Sequence, residues 1–209
     1  MSIYAEISEN LQKGKAPIVE QLVNQALADG LPAKDILEQG LLSGMGIIGE
    51  KFKNNEVYVP EVLIAARAMN KGAAILKPAL ASEGVTATGK VVLGTVKGDQ
   101  HDIGKNLVKM MMEGKGIEVV DLGVNVAPET YVDKAVETGA KAICLSALLT
   151  TTMNEMKAVV DILNERGLRD KYTVMVGGAP VTQAFCDQIG ADLYTADAAS
   201  AADAAASLF

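Results

Sequence analysis

The chain has little of the chemistry that several classes of protein need. Its 209 residues carry 19 Lys and Arg against 26 Asp and Glu, a net charge of −7. This leaves no excess of positive charge for a phosphate backbone or an anionic lipid surface, so we expect no nucleic-acid partner. No apolar run approaches the roughly 20 residues that span a bilayer, so we also expect no membrane partner.

Targeting and redox signals are equally sparse. Residues 1–6 lack the basic and apolar regions of a signal peptide, and we expect a cytoplasmic protein. Two cysteines, Cys144 in a predicted buried strand and Cys186 in a predicted helix, form no spaced metal or redox pair. A reducing compartment keeps such cysteines as thiols, and we interpret both as small core residues.

The first part of the chain has helical periodicity. Apolar residues recur at helical spacing through residues 1–80, and Pro60 and Pro78 bracket the last long predicted helix. We predict an all-α bundle of about four helices here, a helical cap domain. The polar and small residues 81–89 then predict an interdomain linker that lets the bundle move relative to the rest of the chain.

Residues 90–209 alternate β-rich and helical runs. Such alternation implies a parallel sheet covered by helices on both faces. We predict an α/β flavodoxin-like (Rossmann-like) domain with a five-stranded parallel sheet in the order 2-1-3-4-5, which binds ligands at the carboxyl ends of its strands. The predicted strands are 91–96, 117–121, 142–146, 173–176 and a weaker one near 191–194.

The only histidine, His101, follows the first predicted strand directly. It lies in the run Gly98-Asp99-Gln100-His101-Asp102-Ile103-Gly104. A lone imidazole two residues after a carboxylate, on a loop flanked by glycines, is suited to bind one metal ion through one nitrogen. The sequence therefore indicates a single-imidazole metal ligand at this loop.

Two further loops are predicted at the same end of the sheet. Ser146 ends the third predicted strand, and Gly177-Gly178 ends the fourth. Each of the three loops also has a plainer interpretation. His101 can be a structural histidine satisfied by Asp99, Ser146 a helix cap, and the glycine pair a simple turn. Their joint placement favours a functional site.

Longer segments carry a family resemblance. In order, they are Val96-Lys97-Gly98-Asp99-Gln100-His101-Asp102-Ile103-Gly104-Lys105-Asn106, Asp121-Leu122-Gly123, Leu145-Ser146-Ala147-Leu148-Leu149-Thr150 and Gly177-Gly178-Ala179. They resemble the corrinoid-binding module of cobalamin-dependent methyltransferases, whose pattern is Asp-x-His-x-x-Gly, Ser-x-Leu and Gly-Gly. Gly49-Glu50-Lys51-Phe52 and Tyr58-Val59-Pro60-Glu61-Val62 resemble the helical cap that precedes this module in methionine synthase and in small corrinoid proteins. Nearly the whole chain is covered.

The resemblance implies a cobalamin or related corrinoid, bound base-off and His-on. In that arrangement a protein histidine replaces the benzimidazole as the lower axial ligand of cobalt. His101 then is the metal ligand, and Asp99 accepts a hydrogen bond from the other imidazole nitrogen. Thr152, where methionine synthase has serine, then links the carboxylate to solvent. The implied catalytic set is therefore His101, Asp99 and Thr152.

The same resemblance implies a slot for the detached nucleotide tail of the cofactor. Gly104, Gly177 and Gly178 leave room for close backbone approach, and Ser146 hydrogen-bonds the buried base. The other implied cofactor-binding residues are Leu148 and Thr150 in the slot, Gly98, Gln100, Asp102 and Ile103 beside the histidine, Ala198 in a weaker match, and Phe52 and Val59 over the upper face of the corrin.

The implied activity is that of a carrier subunit, which holds a methyl group on cobalt as methylcobalamin. The resemblance implies three partners. They are a substrate-specific methyltransferase, a second methyltransferase that delivers the methyl group to tetrahydrofolate or a thiol, and a reductive activase that restores oxidised cobalt.

Three alternatives remain open at this point. A B12-dependent isomerase subunit shares the histidine motif, although the helical cap argues against a substrate-binding barrel. A corrinoid-based sensor or regulator uses similar modules, although this acidic chain shows no basic DNA-binding domain. A cofactor-free hydrolase could use Asp99 and His101, but the sequence offers no convincing nucleophile.

Overall fold

Residues 2–209 are described by a computed structural model, and the chain divides into two units. One unit runs through Ala87 and includes Gly114–Gly116, and the other comprises Thr88–Glu113 and Ile117–Phe209. The first is helical, and the second is an α/β domain built on one sheet. This is the fold class that the two periodicities predict.

The helical unit contains four continuous helical stretches among the described residues. They are α1 (Ile3–Gln12), α2 (Ala16–Ala28), a third stretch, and α5 (Val59–Ser82). The third stretch runs through α3 (Ala33–Asp35), a π-helical segment (Ile36–Leu42) and α4 (Ser43–Lys53) without a break. The buried apolar residues include Ile7 and Leu11 in α1 and Val19, Val23 and Ala26 in α2, which follow one another at three or four positions, as an amphipathic helix requires.

The predicted end of the last helix at Pro78 is wrong. Helix α5 continues to Ser82 and contains Pro78. A proline removes one main-chain donor, but its φ is compatible with a helix, so one further turn can follow. That turn is closed by the Ser82 hydroxyl and the Glu83 amide, which donate to the Ala79 carbonyl at 2.7 and 2.9 Å. The helix therefore occupies the first two positions of the predicted linker 81–89.

The helices keep charged positions even where they are long. Helix α5 has 24 residues, and Glu61, Arg67, Lys71 and Lys77 interrupt its apolar sequence. Within residues 2–209, no helix combines the length and the hydropathy needed to cross a membrane.

The second unit is a five-stranded parallel sheet in the order β2-β1-β3-β4-β5, which confirms the flavodoxin-like prediction. The strands are β1 (Gly89–Thr95), β2 (Ile117–Asp121), β3 (Ala142–Ser146), β4 (Thr173–Gly177) and β5 (Leu193–Tyr194). The helices are α6 (Ile103–Glu113), α7 (Pro128–Thr138), α8 (Asn154–Glu165), α9 (Gln183–Ile189) and α10 (Ala198–Ala206). Consecutive residues of β1 and β3 are buried, as expected for strands covered on both faces.

The strand register brings the predicted loops together. Thr95 pairs with Ser146, and Ser146 pairs with Gly177, so β1, β3 and β4 end at the same level of the sheet. The chain leaves β1 toward β2 on one side and reaches β3 on the other, which makes this the topological switch point. The loops after these three strands therefore lie side by side.

Both cysteines are buried and free, as predicted. Burial raises the pKa of the Cys144 thiol to about 12. Burial likewise raises the pKa of the Cys186 thiol. Both side chains are therefore neutral thiols at physiological pH, in keeping with a role as small core residues.

Candidate functional site

The loop after β1 places His101 against a buried carboxylate. Asp99 is fully buried, whereas the His101 side chain is 51 % exposed. The imidazole Nδ1 lies 2.6 Å from Asp99 Oδ1. Because an ionised carboxylate can only accept, Nδ1 carries the proton and the lone pair stays on Nε2. His101 thus offers one imidazole nitrogen as a metal ligand, in a tautomer that Asp99 determines.

Main-chain donors surround the Asp99 carboxylate. Oδ1 also accepts the amide of His101 at 3.1 Å, and Oδ2 accepts the amides of Leu148 and Leu149 at 2.7 and 3.0 Å. Burial by itself raises the pKa of Asp99, but the hydrogen bonds from the His101 imidazole and these amides outweigh it. The pKa of Asp99 is held well below its usual range. The ionised carboxylate therefore ties the loop after β1 to the loop after β3.

Thr152 completes the predicted trio in space. Its hydroxyl oxygen lies 3.3 Å from Asp99 Oδ2 and 2.9 Å from the Leu149 carbonyl, and the residue is only 8 % exposed. A hydroxyl has one proton, so it donates to one of these acceptors at a time. The structure brings His101, Asp99 and Thr152 together, and a relay to solvent through Thr152 stays a prediction.

Two residues that the sequence analysis missed also hold the histidine loop. The buried Thr95 hydroxyl donates to the His101 carbonyl at 2.8 Å. Asn125 lies in the turn after β2, and its side-chain oxygen Oδ1 accepts a hydrogen bond from the Gly98 amide at 2.7 Å. Two signals in the sequence could have identified these residues. Thr95 is a polar residue at the end of a buried strand, and Asn125 is an asparagine in the turn after a strand.

The predicted glycines differ in what surrounds them. A Cβ added at Gly177 would lie 3.8 Å from the Thr195 carbonyl oxygen, and a Cβ at Gly104 would meet nothing within 4 Å. These two positions have the open space beside the main chain that the predicted nucleotide slot requires. Gly178 is different, because a Cβ there would lie 1.9 Å from the Ala147 carbonyl oxygen. The missing side chain at Gly178 serves the packing of the protein itself.

The other predicted residues of the sheet domain lie at or after the carboxyl ends of the strands. Ser146 is half-buried at the end of β3, and Ala198 is buried at the start of α10. Ile103 and Leu148 are 74 % and 44 % exposed, which leaves two large apolar side chains uncovered beside the histidine and Asp99. The remaining predicted residues are exposed and comprise Gly98, Gln100, Asp102 and Thr150.

Phe52 and Val59 belong to the helical unit. Phe52 lies in α4, and Val59 is the first residue of α5. Both are half-buried, so neither is an ordinary fully buried core residue. Their predicted contact with the upper face of a corrin stays a prediction.

An ion pair anchors the turn after β2. The Lys105 side chain is only 2 % exposed, and its Nζ donates to Asp121 Oδ1 at 2.7 Å. The same oxygen accepts the Gly123 amide at 3.0 Å, and Lys109 approaches the other carboxylate oxygen at 3.3 Å. Burial opposes the ionised form of Asp121, but the hydrogen bonds from Lys105 and Gly123 and the charge of Lys105 outweigh it and lower the pKa of Asp121.

Replacing Lys105 with methionine is expected to lower the free energy of unfolding by roughly 1–3 kcal/mol at pH 7, because the Asp121 carboxylate loses its buried partner. The lowered pKa of Asp121 means that the pair stabilises the fold fully above the ordinary aspartate pKa of about 4, and less as the pH falls below it. Urea unfolding at pH 7 and pH 3 should therefore show a smaller difference between the two proteins at pH 3.

Lys109→Met is the matched control for this prediction. Lys109 faces the same carboxylate, but its side chain is 32 % exposed and its contact is longer. Its loss is expected to cost less than about 1 kcal/mol. Equal effects of the two substitutions at pH 7 would contradict the assignment of the buried pair as the anchor.

Comparison with known proteins defines the class of this chain. Residues 89–206 match the sequence family described as B12 binding domain, and residues 3–77 match a second family with the same description. The matches cover both units, including the loop that carries His101. The class of this chain is therefore a B12-binding protein, in which the helical unit and the α/β unit each match a family of that description.

Individual relatives narrow the class. A corrinoid protein of Desulfitobacterium hafniense (strain Y51) is 41 % identical over 208 residues, which cover 98 % of this chain and 96 % of the relative. The dimethylamine corrinoid protein of Methanosarcina barkeri is 43 % identical over 198 residues, which cover 94 % and 92 % of the two chains. The chain belongs to the family of methyltransferase corrinoid proteins.

A solved structure shares the fold over the whole chain. The methanol:cobalamin methyltransferase complex MtaBC from Methanosarcina barkeri contains a chain that matches with a TM-score of 0.90 at 30 % identity. The match covers 99 % of this chain and 79 % of that chain.

Proposed function

We propose that this protein is the methyl-carrying subunit of a methyltransferase system with several components. The observation that carries the proposal is the half-exposed imidazole of His101, whose Nδ1 is engaged by the buried Asp99 and whose Nε2 keeps its lone pair. A corrinoid supplies a cobalt atom that accepts a methyl group from one protein and releases it to another. The names of the related corrinoid proteins support this function.

In this proposal the corrinoid binds base-off and His-on. His101 Nε2 is the lower ligand of the cobalt, and Asp99 orients the imidazole and strengthens it as a donor. Nδ1 keeps its proton and donates it in a hydrogen bond to Asp99 Oδ1 at 2.6 Å. The Thr152 hydroxyl can turn from the Leu149 carbonyl toward Asp99 Oδ2 and so donate a further hydrogen bond to the ionised carboxylate.

The nucleotide tail of the cofactor is proposed to enter beside the ends of β3 and β4. The positions of Gly104 and Gly177 support this placement, because the absence of a side chain leaves free space beside the main chain at both. Ser146, which is half-buried and pairs with Gly177 in the strand register, is proposed to hydrogen-bond the base. Leu148 is proposed to line this slot, and Ile103 is proposed to contact the macrocycle beside the histidine, each with its exposed apolar surface.

The proposed partners are a substrate-specific methyltransferase, a second methyltransferase that passes the methyl group to tetrahydrofolate or a thiol, and a reductive activase. The related solved structure is itself a methanol:cobalamin methyltransferase complex, which supports the first of these. The choice of methyl donor is proposed to lie with that partner.

The proposal is tested by loading the purified full chain with reduced cobalamin and removing the excess by gel filtration. We expect about one cobalamin per chain, and we expect the loaded and reduced protein to take up the labelled methyl group of methyl iodide. Parallel loading with adenosylcobalamin is the control for an isomerase subunit. A chain that stays colourless, or that retains the adenosyl form and takes up no label, would overturn the proposal.

A further inference from the structure

The turn between β2 and α7 reaches the histidine loop through one residue, Asn125. The Gly98 amide donates to Asn125 Oδ1 at 2.7 Å, and the Asn125 amide donates to the Asp99 carbonyl at 2.9 Å. These two hydrogen bonds run in opposite directions between the same two segments. Together they close a small ring that ties the main chain of Gly98 and Asp99 to the turn.

The turn that carries Asn125 is itself fastened to β1 on both sides. The Thr95 amide donates to the Gly123 carbonyl at 2.9 Å, and the Val126 amide donates to the Thr95 carbonyl at 3.0 Å. Val96 and Val126 form a further parallel bridge. Asn125 is therefore held between two residues that cannot move without breaking main-chain hydrogen bonds of the sheet.

The residue type at this position has to meet two demands. Asn125 has a φ of 54°, in the left-handed region that asparagine, aspartate and glycine adopt more readily than other residues. Its side chain must also place an oxygen within reach of the Gly98 amide. Glycine meets the first demand only, whereas asparagine and aspartate meet both. A glycine at position 125 therefore keeps the conformation of the turn but loses the hydrogen bond, so the two effects can be tested separately.

The ring of hydrogen bonds acts on the residue that orients the imidazole. Gly98 precedes Asp99, and Asp99 Oδ1 is the oxygen that lies 2.6 Å from His101 Nδ1. A main chain that is free to rotate at Gly98, where φ is 81°, would change the direction from which the carboxylate meets the imidazole. Inside the loop, the Asp99 amide donates to the Val96 carbonyl at 3.1 Å, and Asn125 Oδ1 adds the partner of the Gly98 amide from outside the loop.

We propose that Asn125 is a positioning residue for the axial histidine, which it serves by fixing the main chain of Gly98 and Asp99. The inference rests on the proposed function, because it assumes that His101 binds cobalt. Asn125 contacts neither the imidazole nor the carboxylate of Asp99 in this role. Its effect on a bound corrinoid passes entirely through the direction of the Asp99 side chain.

The test compares Asn125→Gly, which keeps the turn and loses the acceptor, with Asn125→Asp, which keeps both. Each full chain is titrated with cob(II)alamin, and the dissociation constant is measured from the visible spectrum. Loss of one hydrogen bond at an exposed position is expected to weaken binding roughly five- to tenfold in Asn125→Gly. Asn125→Asp is expected to stay within about twofold of the wild type, since its carboxylate oxygen accepts the same amide.

A double-mutant cycle separates positioning from a general structural effect. In a His101→Ala background, Asn125→Gly is expected to change the affinity by less than about twofold, because no imidazole is left to orient. The same loss of affinity with and without His101 would overturn the inference, as would an Asn125→Gly chain that binds like the wild type. A wild type that binds no cob(II)alamin overturns the proposed function, and the inference falls with it.

Hydrogen exchange on the unloaded protein supplies a second readout. The Gly98 amide is expected to exchange at least about tenfold faster in Asn125→Gly than in the wild type, whereas core amides of β1 and β3 keep their rates. Unchanged exchange at Gly98 would contradict the hydrogen bond on which the inference depends.

Discussion

Substitution of Gly178 by alanine is expected to lower the free energy of unfolding by roughly 3–5 kcal/mol, from backbone strain and overpacking together. Gly178 has a φ of 127°, which side chains of L-residues rarely adopt. The added Cβ would also lie 1.9 Å from the carbonyl oxygen of Ala147, a main-chain atom that cannot turn away as a side chain would. Urea unfolding followed by circular dichroism measures the loss.

Gly177→Ala is the matched control for this prediction. It adds the same methyl group one residue earlier, where φ is not positive and the nearest atom, the Thr195 carbonyl oxygen, would be 3.8 Å away. The expected loss is below about 1 kcal/mol, since such a distance is an ordinary contact. If both variants lose the same stability, the assignment of Gly178 to the packing of the loop after β3 is wrong.

Asp99→Ala is expected to cost about 3–5 kcal/mol, because it removes a fully buried carboxylate that accepts hydrogen bonds from several partly buried donors at once. The amides of Leu148, Leu149 and His101 all donate to this carboxylate, and none would retain a partner on Asp99. The substitution also separates the loop after β1 from the loop after β3. Chemical unfolding of the unloaded protein should show the loss directly.

Asp99→Asn divides the two roles of the carboxylate. If the amide oxygen of the new side chain faces Leu148 and Leu149, its NH₂ group faces His101 Nδ1, which must then accept. The imidazole proton moves to Nε2, and the nitrogen that would bind cobalt is no longer a donor of electrons. We expect a smaller loss of stability than in Asp99→Ala but a comparable loss of histidine ligation. Full ligation in Asp99→Asn would contradict control of the tautomer by Asp99.

The parts of the fold that follow from periodicity could be predicted from the sequence. The β2 and β3 strands coincide with the predicted ranges, and the order of the sheet follows because each parallel crossover needs a helix. The grouping of His101, Ser146 and Gly177 at one end of the sheet follows in turn from the strand order. These inferences need only the alternation of apolar runs.

Other features depend on contacts that no local pattern encodes. The extension of α5 beyond Pro78 rests on hydrogen bonds at Ala79, and the π-helical segment Ile36–Leu42 interrupts a stretch that has ordinary helical spacing. The role of Asn125 depends on a turn that returns to β1 from a distant part of the chain. The requirement for glycine at Gly178 comes from the main chain of another loop.

We propose that the His101 imidazole is the lower axial ligand of cobalt in the loaded protein. The most direct measurement is the electron paramagnetic resonance spectrum of uniformly ¹⁵N-labelled protein loaded with unlabelled cob(II)alamin. Coordination by His101 predicts superhyperfine doublets from a protein ¹⁵N nucleus, which disappear in His101→Ala. Triplets from the ¹⁴N of the cofactor's own benzimidazole, or doublets that persist in His101→Ala, would contradict the claim.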